Sequence, residues 1–433
     1  MPRTTRSFCC CANDPRSLRP AGGGARPSPA SSAAASPRSP AVARWRRCGR
    51  LAALAVLAAC ATPTATAPSG QPTGLQLQWL RVDEAMKAKR FDVAQAEARG
   101  LYAANPEPWV QVMVAAATSA RGQGDDACRE LAAALVGIAR DPLAAGPIVV
   151  DLPEALAQGE HWAAVRAEPR YPDLLARAKA ARWRPEPLAF DDGPAATTAA
   201  APRTPRRARA EPALRTLREA YALDAVVAGA ANDLDRVKRT CTWVHGRTRH
   251  DGWLGDMPDD AKGLLDAAAK GGQWRCVEFG IVVAECLQAV GVPARTVRGR
   301  ARDVATMLGA AGHVFAEAWL DDRQAWVFVD AQVDLVAVDR DGAPLHTAAL
   351  RNALARPQSP QSYPLQLAMC LHHLTYTAVG DAGRAAEVML APVGTPMPTR
   401  FQRQPVRAPD VFTHRLADFY APPRDGTAQH SRH

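Results

Sequence analysis

After residue 60 the sequence lacks an excess of charge of either sign. The formal net charge of the whole chain is +10, but residues 1–60 hold ten arginines, no lysine and one acidic residue. The remaining chain carries 43 basic and 42 acidic residues, which is close to neutral. A protein that binds nucleic acid needs a basic patch or stripe. We therefore expect no nucleic-acid partner.

The sequence also lacks the paired cysteines of a structural zinc site. Five of its ten cysteines fall within the first 60 residues. None of the other five belongs to a C-x-x-C pair, so a structural zinc site is not expected. No other metal or cofactor is expected either. An odd number of cysteines in an exported protein leaves at least one free thiol. These five residues are Cys128, Cys241, Cys276, Cys286 and Cys370.

The basic start of the chain precedes a short apolar run. The segment "RWRRCGRLAALAVLAAC", residues 44–60, has a cationic region, an apolar run and a cysteine. This order is typical of a secretory signal, and the run is too short to span a bilayer. Its end, "LAAC", resembles a bacterial lipobox, which implies that Cys60 becomes the lipidated first residue of the mature chain. A plain signal peptide with a chance cysteine is the alternative.

Residues 1–60 are thus predicted to be a disordered leader with a lipoprotein signal, followed by a tether of small residues and prolines at 61–74. The lipobox implies a protein of the bacterial cell envelope. We expect it to be anchored by lipid, at the outer membrane and facing the periplasm.

Residues 75–190 have a helical pattern with an internal repeat. When the chain is offset by 33 residues, "RFDVA" aligns with "QGDDA", and both units end in proline. The pattern resembles a pair of tetratricopeptide hairpins, which implies a surface for a protein partner. A generic helical layer without a peptide groove is the alternative.

The rest of the chain divides at a change of composition. Residues 191–212 have almost no large apolar side chains and are predicted to form a linker, because they cannot build a core. Helical and strand patterns then alternate over residues 213–338, which predicts an α+β domain. Residues 339–433 are rich in proline and are predicted to be an irregular C-terminal extension.

The stretch "GGQWRCVEFG" places Cys276 where a glycine-led loop enters an apolar helix. The start of a helix presents backbone N–H groups and a partial positive charge, and both stabilise a thiolate. The same N–H groups can receive an oxyanion. By position, Gln273 and Trp274 are candidates for contacts with the oxyanion or the substrate, although each can equally serve packing or the loop.

Two strand-like segments, "GHVFAEAWL" and "AWVFVDAQ", predict a hairpin whose turn is centred on residues 322 and 323. In the register that follows, the numbers of opposed residues sum to about 645. His313 and Asp330 then share one face as diagonal neighbours, within reach of each other. Cys276, His313 and Asp330 are therefore candidates for nucleophile, base and orienting group.

The cysteine segment and the hairpin, with "VGVPARTVRG" between them, resemble the transglutaminase-like superfamily, which is related to papain-type proteases. In this resemblance Cys276, His313 and Asp330 occupy the three catalytic positions. It implies an enzyme that transfers or hydrolyses amide or acyl groups through a thiol, without a cofactor. Peptides, proteins or cell-wall amides are the expected substrates. The alternative is a non-catalytic envelope scaffold that binds partners through its helical repeats.

Overall fold

The computed structural model describes residues 74–142, 148–195, 202–250, 257–307, 311–356, 363–379 and 384–425. The predicted signal, Cys60 and residues 61–73 of the tether lie outside these ranges. Within them, no helix is long and apolar enough to cross a membrane.

Helices alone build the N-terminal part of the described chain, as predicted. Successive helices pack as neighbours around a core that includes Leu131, Ile138 and Trp162. The helices are α1 (Gly74–Lys87), α2 (Phe91–Ala104), α3 (Pro108–Ala120), α4 (Gly124–Arg140), α5 (Ile148–Gln158), α6 (Ala163–Arg166) and α7 (Tyr171–Ala180).

The first four helices form two hairpins with the same turn geometry. Arg90 precedes α2 and Gln123 precedes α4, and both have φ −89° and ψ 70°. Lys89 and Gly122, one residue earlier in each turn, both have positive φ. The predicted alignment at an offset of 33 residues is therefore confirmed. The likeness to tetratricopeptide repeats stays a prediction.

A seven-stranded sheet with helices forms the second part. The sheet order is β10-β7-β6-β2-β3-β4-β5, and each pair is antiparallel except β10 with β7. The elements are β1 (Pro205–Arg206), α8 (Pro212–Ala220), α9 (Leu223–Val226), α10 (Asp233–His245), α11 (Ala261–Ala269), α12 (Cys276–Ala289), β2 (Ala294–Arg300), β3 (Gly312–Leu320), β4 (Ala325–Asp330), β5 (Leu335–Val336), α13 (Thr347–Leu354), α14 (Leu365–Ala368), β6 (His373–Val379), β7 (Ala385–Leu390), β8 (Arg400–Phe401), β9 (Gln404–Pro405), β10 (Val411–Thr413), α15 (Leu416–Phe419) and β11 (Arg424–Asp425).

The two faces of this sheet are covered by different parts of the chain. Helices α8 and α10 to α12 bury one face, on which β3 presents Ala316, Ala318 and Leu320. The C-terminal segments cover the other face, on which Phe315 and Phe328 lie. Alternate residues of a strand point to opposite faces, so β3 contributes to both cores.

The prediction of an irregular extension after residue 338 is wrong. Strands β6, β7 and β10 lie in the extension, and β6 pairs with β2 in the middle of the sheet. The segment "HLTYTAV" supplies β-branched and aromatic residues that suit a strand. Because β3 occupies one edge of β2, these later strands complete its other edge.

The prediction of a free linker at residues 191–212 is also corrected where the structure describes it. Asp191 forms a β-bridge and an ion pair with Arg415, and β1 pairs with β11. Arg206 donates to both carboxylate oxygens of Asp321. Backbone hydrogen bonds and arginine ion pairs thus attach a segment that has few apolar anchors.

Polar contacts join the helical region to the sheet domain near the end of β2. Arg302, two residues beyond β2, pairs with Asp141 at 2.9 Å. Arg403, between β8 and β9, donates to Asn105 in the loop between α2 and α3. The helical layer therefore borders the end of β2, where Gly299 opposes His313 of β3.

Candidate active site

Helix α12 begins at Cys276, as the sequence predicts. Gly271 has a φ of 93°, which lets the chain turn before the helix. Arg275 is the extended N-cap residue, and its backbone N–H donates to the Glu278 carboxylate at 2.8 Å. Glu278 also pairs with the Arg275 guanidinium. This capping arrangement fixes the helix start, and with it the position of the thiol.

His313 and Asp330 are in direct contact. His313 Nε2 lies 2.7 Å from Asp330 Oδ2, and each residue is 1% exposed. The predicted hairpin register is confirmed, since Ala316 opposes Val329 and their residue numbers sum to 645. Because the carboxylate engages Nε2, the imidazole keeps Nδ1 for another partner.

Two further groups donate to the Asp330 carboxylate. The Tyr363 hydroxyl donates to Oδ2 at 2.8 Å, and the Gln332 backbone N–H donates to Oδ1 at 3.0 Å. These hydrogen bonds hold the carboxylate in place beside His313. Sequence reasoning missed Tyr363, which lies in the C-terminal extension where no pattern linked it to the hairpin.

The thiol lies over the strand end that carries His313. Cys276 packs in one cluster with Val314, the residue after His313. One turn further along α12, a Cβ on Gly280 would lie 2.9 Å from Val314 Cγ1 and 3.4 Å from the backbone nitrogen of Phe315.

Helix α12 runs in the same direction as β3. Near the far end of α12, the Gln288 amide donates to the carbonyl oxygen of Ala294, which opposes Ala318 on β3. A step of four helical residues covers about 6 Å, or about two strand residues. Cys276 therefore lies at the level of residues 312 and 313.

Cys276 differs from the other described cysteines in its exposure. None of the five forms a disulfide within the described residues. Cys276 is 8% exposed and Cys370 is 2% exposed, whereas Cys128, Cys241 and Cys286 are 0% exposed. Burial raises the pKa of both Cys241 and Cys286, which disfavours their thiolates. Cys276, at the helix start, is thus the most exposed residue of the five.

The structure gives Trp274 the packing role that was the alternative to binding an oxyanion or the substrate. Its side chain is fully buried, its indole N–H donates to the Leu264 carbonyl, and its backbone N–H donates to Arg249. It also packs edge-on against Phe279. Trp274 therefore anchors the loop before Cys276. Gln273 is partly exposed in that loop, and its role stays a prediction.

A buried ion pair on β2 and β3 is the second feature that the sequence did not indicate. Arg295 donates to Glu317 Oε2 at 2.7 Å, and Glu317 also accepts from the Thr347 backbone and hydroxyl. The Arg295 guanidinium lies 4.0 Å from the centre of the Tyr376 ring. Arg295 also donates to the Phe419 carbonyl, so the pair ties the C-terminal segment to the sheet.

Residues 221–331 match the family profile of the transglutaminase-like superfamily. The chain contains a transglutaminase-like domain. The matched segment includes Cys276, His313 and Asp330, and it ends just after β4. The transglutaminase-like domain of this chain is completed by strands beyond the match, since β6 pairs with β2.

Two solved structures resemble the chain at 16% identity each and a TM-score of 0.23. A proposed cysteine protease from Cytophaga hutchinsonii matches over 31% of this chain and 42% of its own. Red sea bream transglutaminase matches over 43% of this chain and 34% of its own. The chain thus spans less than half of either relative, and these likenesses carry no argument about its activity. No curated protein matches the sequence.

Proposed function

We propose that the transglutaminase-like domain cleaves or transfers amide or acyl groups through a covalent thioester on Cys276. The observation that carries this proposal is the buried contact of 2.7 Å between His313 Nε2 and Asp330 Oδ2. A histidine held by a carboxylate at one nitrogen can act as a base at the other. The thiol at the start of α12 is the nucleophile that this base serves.

The reaction has two halves in this proposal. The Cys276 thiol loses its proton to His313 Nδ1, and the sulfur bonds to the substrate carbonyl carbon. The imidazolium then returns the proton to the leaving amine as the carbon–nitrogen bond breaks, leaving a thioester. Water completes a hydrolysis, whereas an amine completes a transfer. In both cases Asp330 holds the imidazole in one orientation throughout.

An electrophilic peptide amide tests the proposal directly. We expect a chloroacetyl peptide to modify Cys276 before the other four described cysteines, as mapped by mass spectrometry. Asp330→Asn favours the wrong tautomer of His313, so amide turnover should fall on the order of a thousandfold or more. Modification spread evenly over the buried cysteines would refute the proposal.

Peptides and proteins are the substrate class that we infer, and cell-wall amides suit an envelope location. A scaffold is the second candidate function, and the two matching helical hairpins favour it. In that case a partner should bind equally well to the wild type and to Cys276→Ala, and the wild type should not turn over an amide. Loss of turnover without loss of binding in this variant would instead support catalysis.

We also propose that the mature protein is anchored to the bacterial envelope through lipid on Cys60. The support is the "LAAC" sequence after a basic and apolar segment. Intact-mass analysis of the membrane fraction should show an acylated chain that begins at Cys60. A lipid-free product cut at another residue would contradict the proposal.

A further inference from the structure

Two arginines lie at the strand end that the start of α12 overlies. In the register of β2 with β3, Arg298 opposes Val314 and Arg300 opposes Gly312. Val314 is the residue that packs with Cys276. Residues opposed across a strand pair share one face, so both arginines lie on the face of the sheet that carries the thiol.

The two guanidiniums of this cluster differ in their ion pairs. Arg298 donates to Glu387 on β7 at 2.6 Å, and this pair is largely buried. Arg300 forms no ion pair with any residue that the structure describes; the guanidinium lies 5.6 Å from the centre of the Phe401 ring. Burial lowers the pKa of Arg300, and the charge on Glu387 opposes that effect. Within the described residues, Arg298 therefore has a carboxylate partner and Arg300 has none.

A buried hydroxyl lies beside these charges. Thr375 on β6 opposes Arg298 and is 0% exposed. Its Oγ1 has no hydrogen-bond partner in the described part of the chain. Buried hydroxyls are normally paired, and a partly buried cation without a counter-ion is costly. Both features indicate a polar, negatively charged group that completes the cluster when it is bound.

We propose that Arg300 binds a carboxylate of the amide substrate and so determines specificity for acidic peptides. This inference rests on the proposed function, since it places the carboxylate beside the amide that Cys276 attacks. The planar fork of Arg300 matches a carboxylate, and its single positive charge matches a monoanion. Arg300 is one strand away from Gly312, so the carboxylate belongs about one or two residues from the attacked carbonyl.

Matched alkylating probes test the subsite in the full chain. N-iodoacetyl-glycine and N-iodoacetyl-β-alanine place a carboxylate at two distances from the reacting carbon, and their carboxamides are the neutral controls. For each pair we compare the ratio of the labelling rate by the acid to that by its carboxamide. With at least one acid, this ratio should be about tenfold higher for Cys276 than for N-acetylcysteine. Arg300→Gln should remove this excess, so that the acids and their carboxamides label Cys276 in the same ratio as they label N-acetylcysteine.

Arg302→Gln is the control variant, because Arg302 is already paired with Asp141 and Asp303. It should keep the preference. Equal preference at Cys276 and N-acetylcysteine would overturn the proposal. An equal fall with acids and carboxamides in Arg300→Gln, which leaves the preference intact, would also overturn it, since Arg300 would then act on the thiolate alone.

Two further measurements keep the proposal falsifiable. Should Arg300→Gln fail to fold, N-acetylglycine should protect wild-type Cys276 from iodoacetamide, whereas N-acetylglycinamide should not. Slow labelling of Cys276 by every probe would defeat the proposed function. In that case, NMR titration of N-acetylglycine into the wild type and Arg300→Lys would test the subsite independently of catalysis. Absence of binding to the wild type would refute the subsite.

Discussion

Replacing Arg295 by methionine should destabilise the fold more than any surface arginine change. Arg295 is 4% exposed and Glu317 is 0% exposed, so the variant leaves a carboxylate buried with only the two donors of Thr347. Breaking one side of a buried ion pair costs about 3–5 kcal/mol. The lost contacts with the Trp326 and Tyr376 rings, at 4.2 and 4.0 Å, act in the same direction.

Urea unfolding measures this effect as a change in the free energy of unfolding. Arg295→Met/Glu317→Gln should cost less than the sum of the two single variants, because it removes the uncompensated charge. The matched control is Arg206→Met, which breaks a more exposed pair with Asp321 and should cost about 1 kcal/mol or less. A cost below about 1 kcal/mol for Arg295→Met would refute the reasoning.

Three other variants test the packing, the hydrogen bonds and the pH response of the domain. Gly280→Ala should lower the free energy of unfolding by about 1–3 kcal/mol, because α12 contacts β3 there, whereas Gly246→Ala meets its nearest atoms at 3.6 Å and should be near neutral in urea unfolding. Tyr363→Phe removes a donor to the Asp330 carboxylate and should cost about 1.5–3 kcal/mol in the same assay. Burial lowers the pKa of His346 from 6.5 to about 4, so the unfolded chain takes up its proton first as the pH falls. Stability should therefore decline from about pH 6.5 to about pH 4, and His346→Asn should flatten this decline in unfolding curves.

The hairpin of β3 and β4 shows what the sequence could predict. Alternation and the four-residue connection fix its register, and the register alone brings His313 to Asp330. The glycine-led entry to α12 likewise places Cys276 at a helix start. These are local patterns, and local patterns are legible in one sequence.

Contacts between distant segments could not be predicted in the same way. Strand β6 pairs with β2 across more than seventy residues, and Tyr363 reaches Asp330 from beyond the predicted domain boundary. Neither contact produces a periodic pattern of residues that could be recognised in the sequence. The packing role of Trp274 could not be chosen over a binding role from the sequence, because proximity to Cys276 along the chain does not determine which way a side chain points.

The reactivity of Cys276 tests the central claim most directly. The proposed mechanism requires the Cys276 thiol, at a helix start, to lie within reach of His313, and such a thiol should form its thiolate below the free-cysteine pKa of about 8.5. Iodoacetamide at pH 6 to 7 should then label Cys276 faster than Cys286, which is fully buried within the same helix and has a raised pKa. His313→Ala should slow the labelling of Cys276 alone. Equally slow labelling of both cysteines, unchanged in His313→Ala, would contradict a catalytic triad.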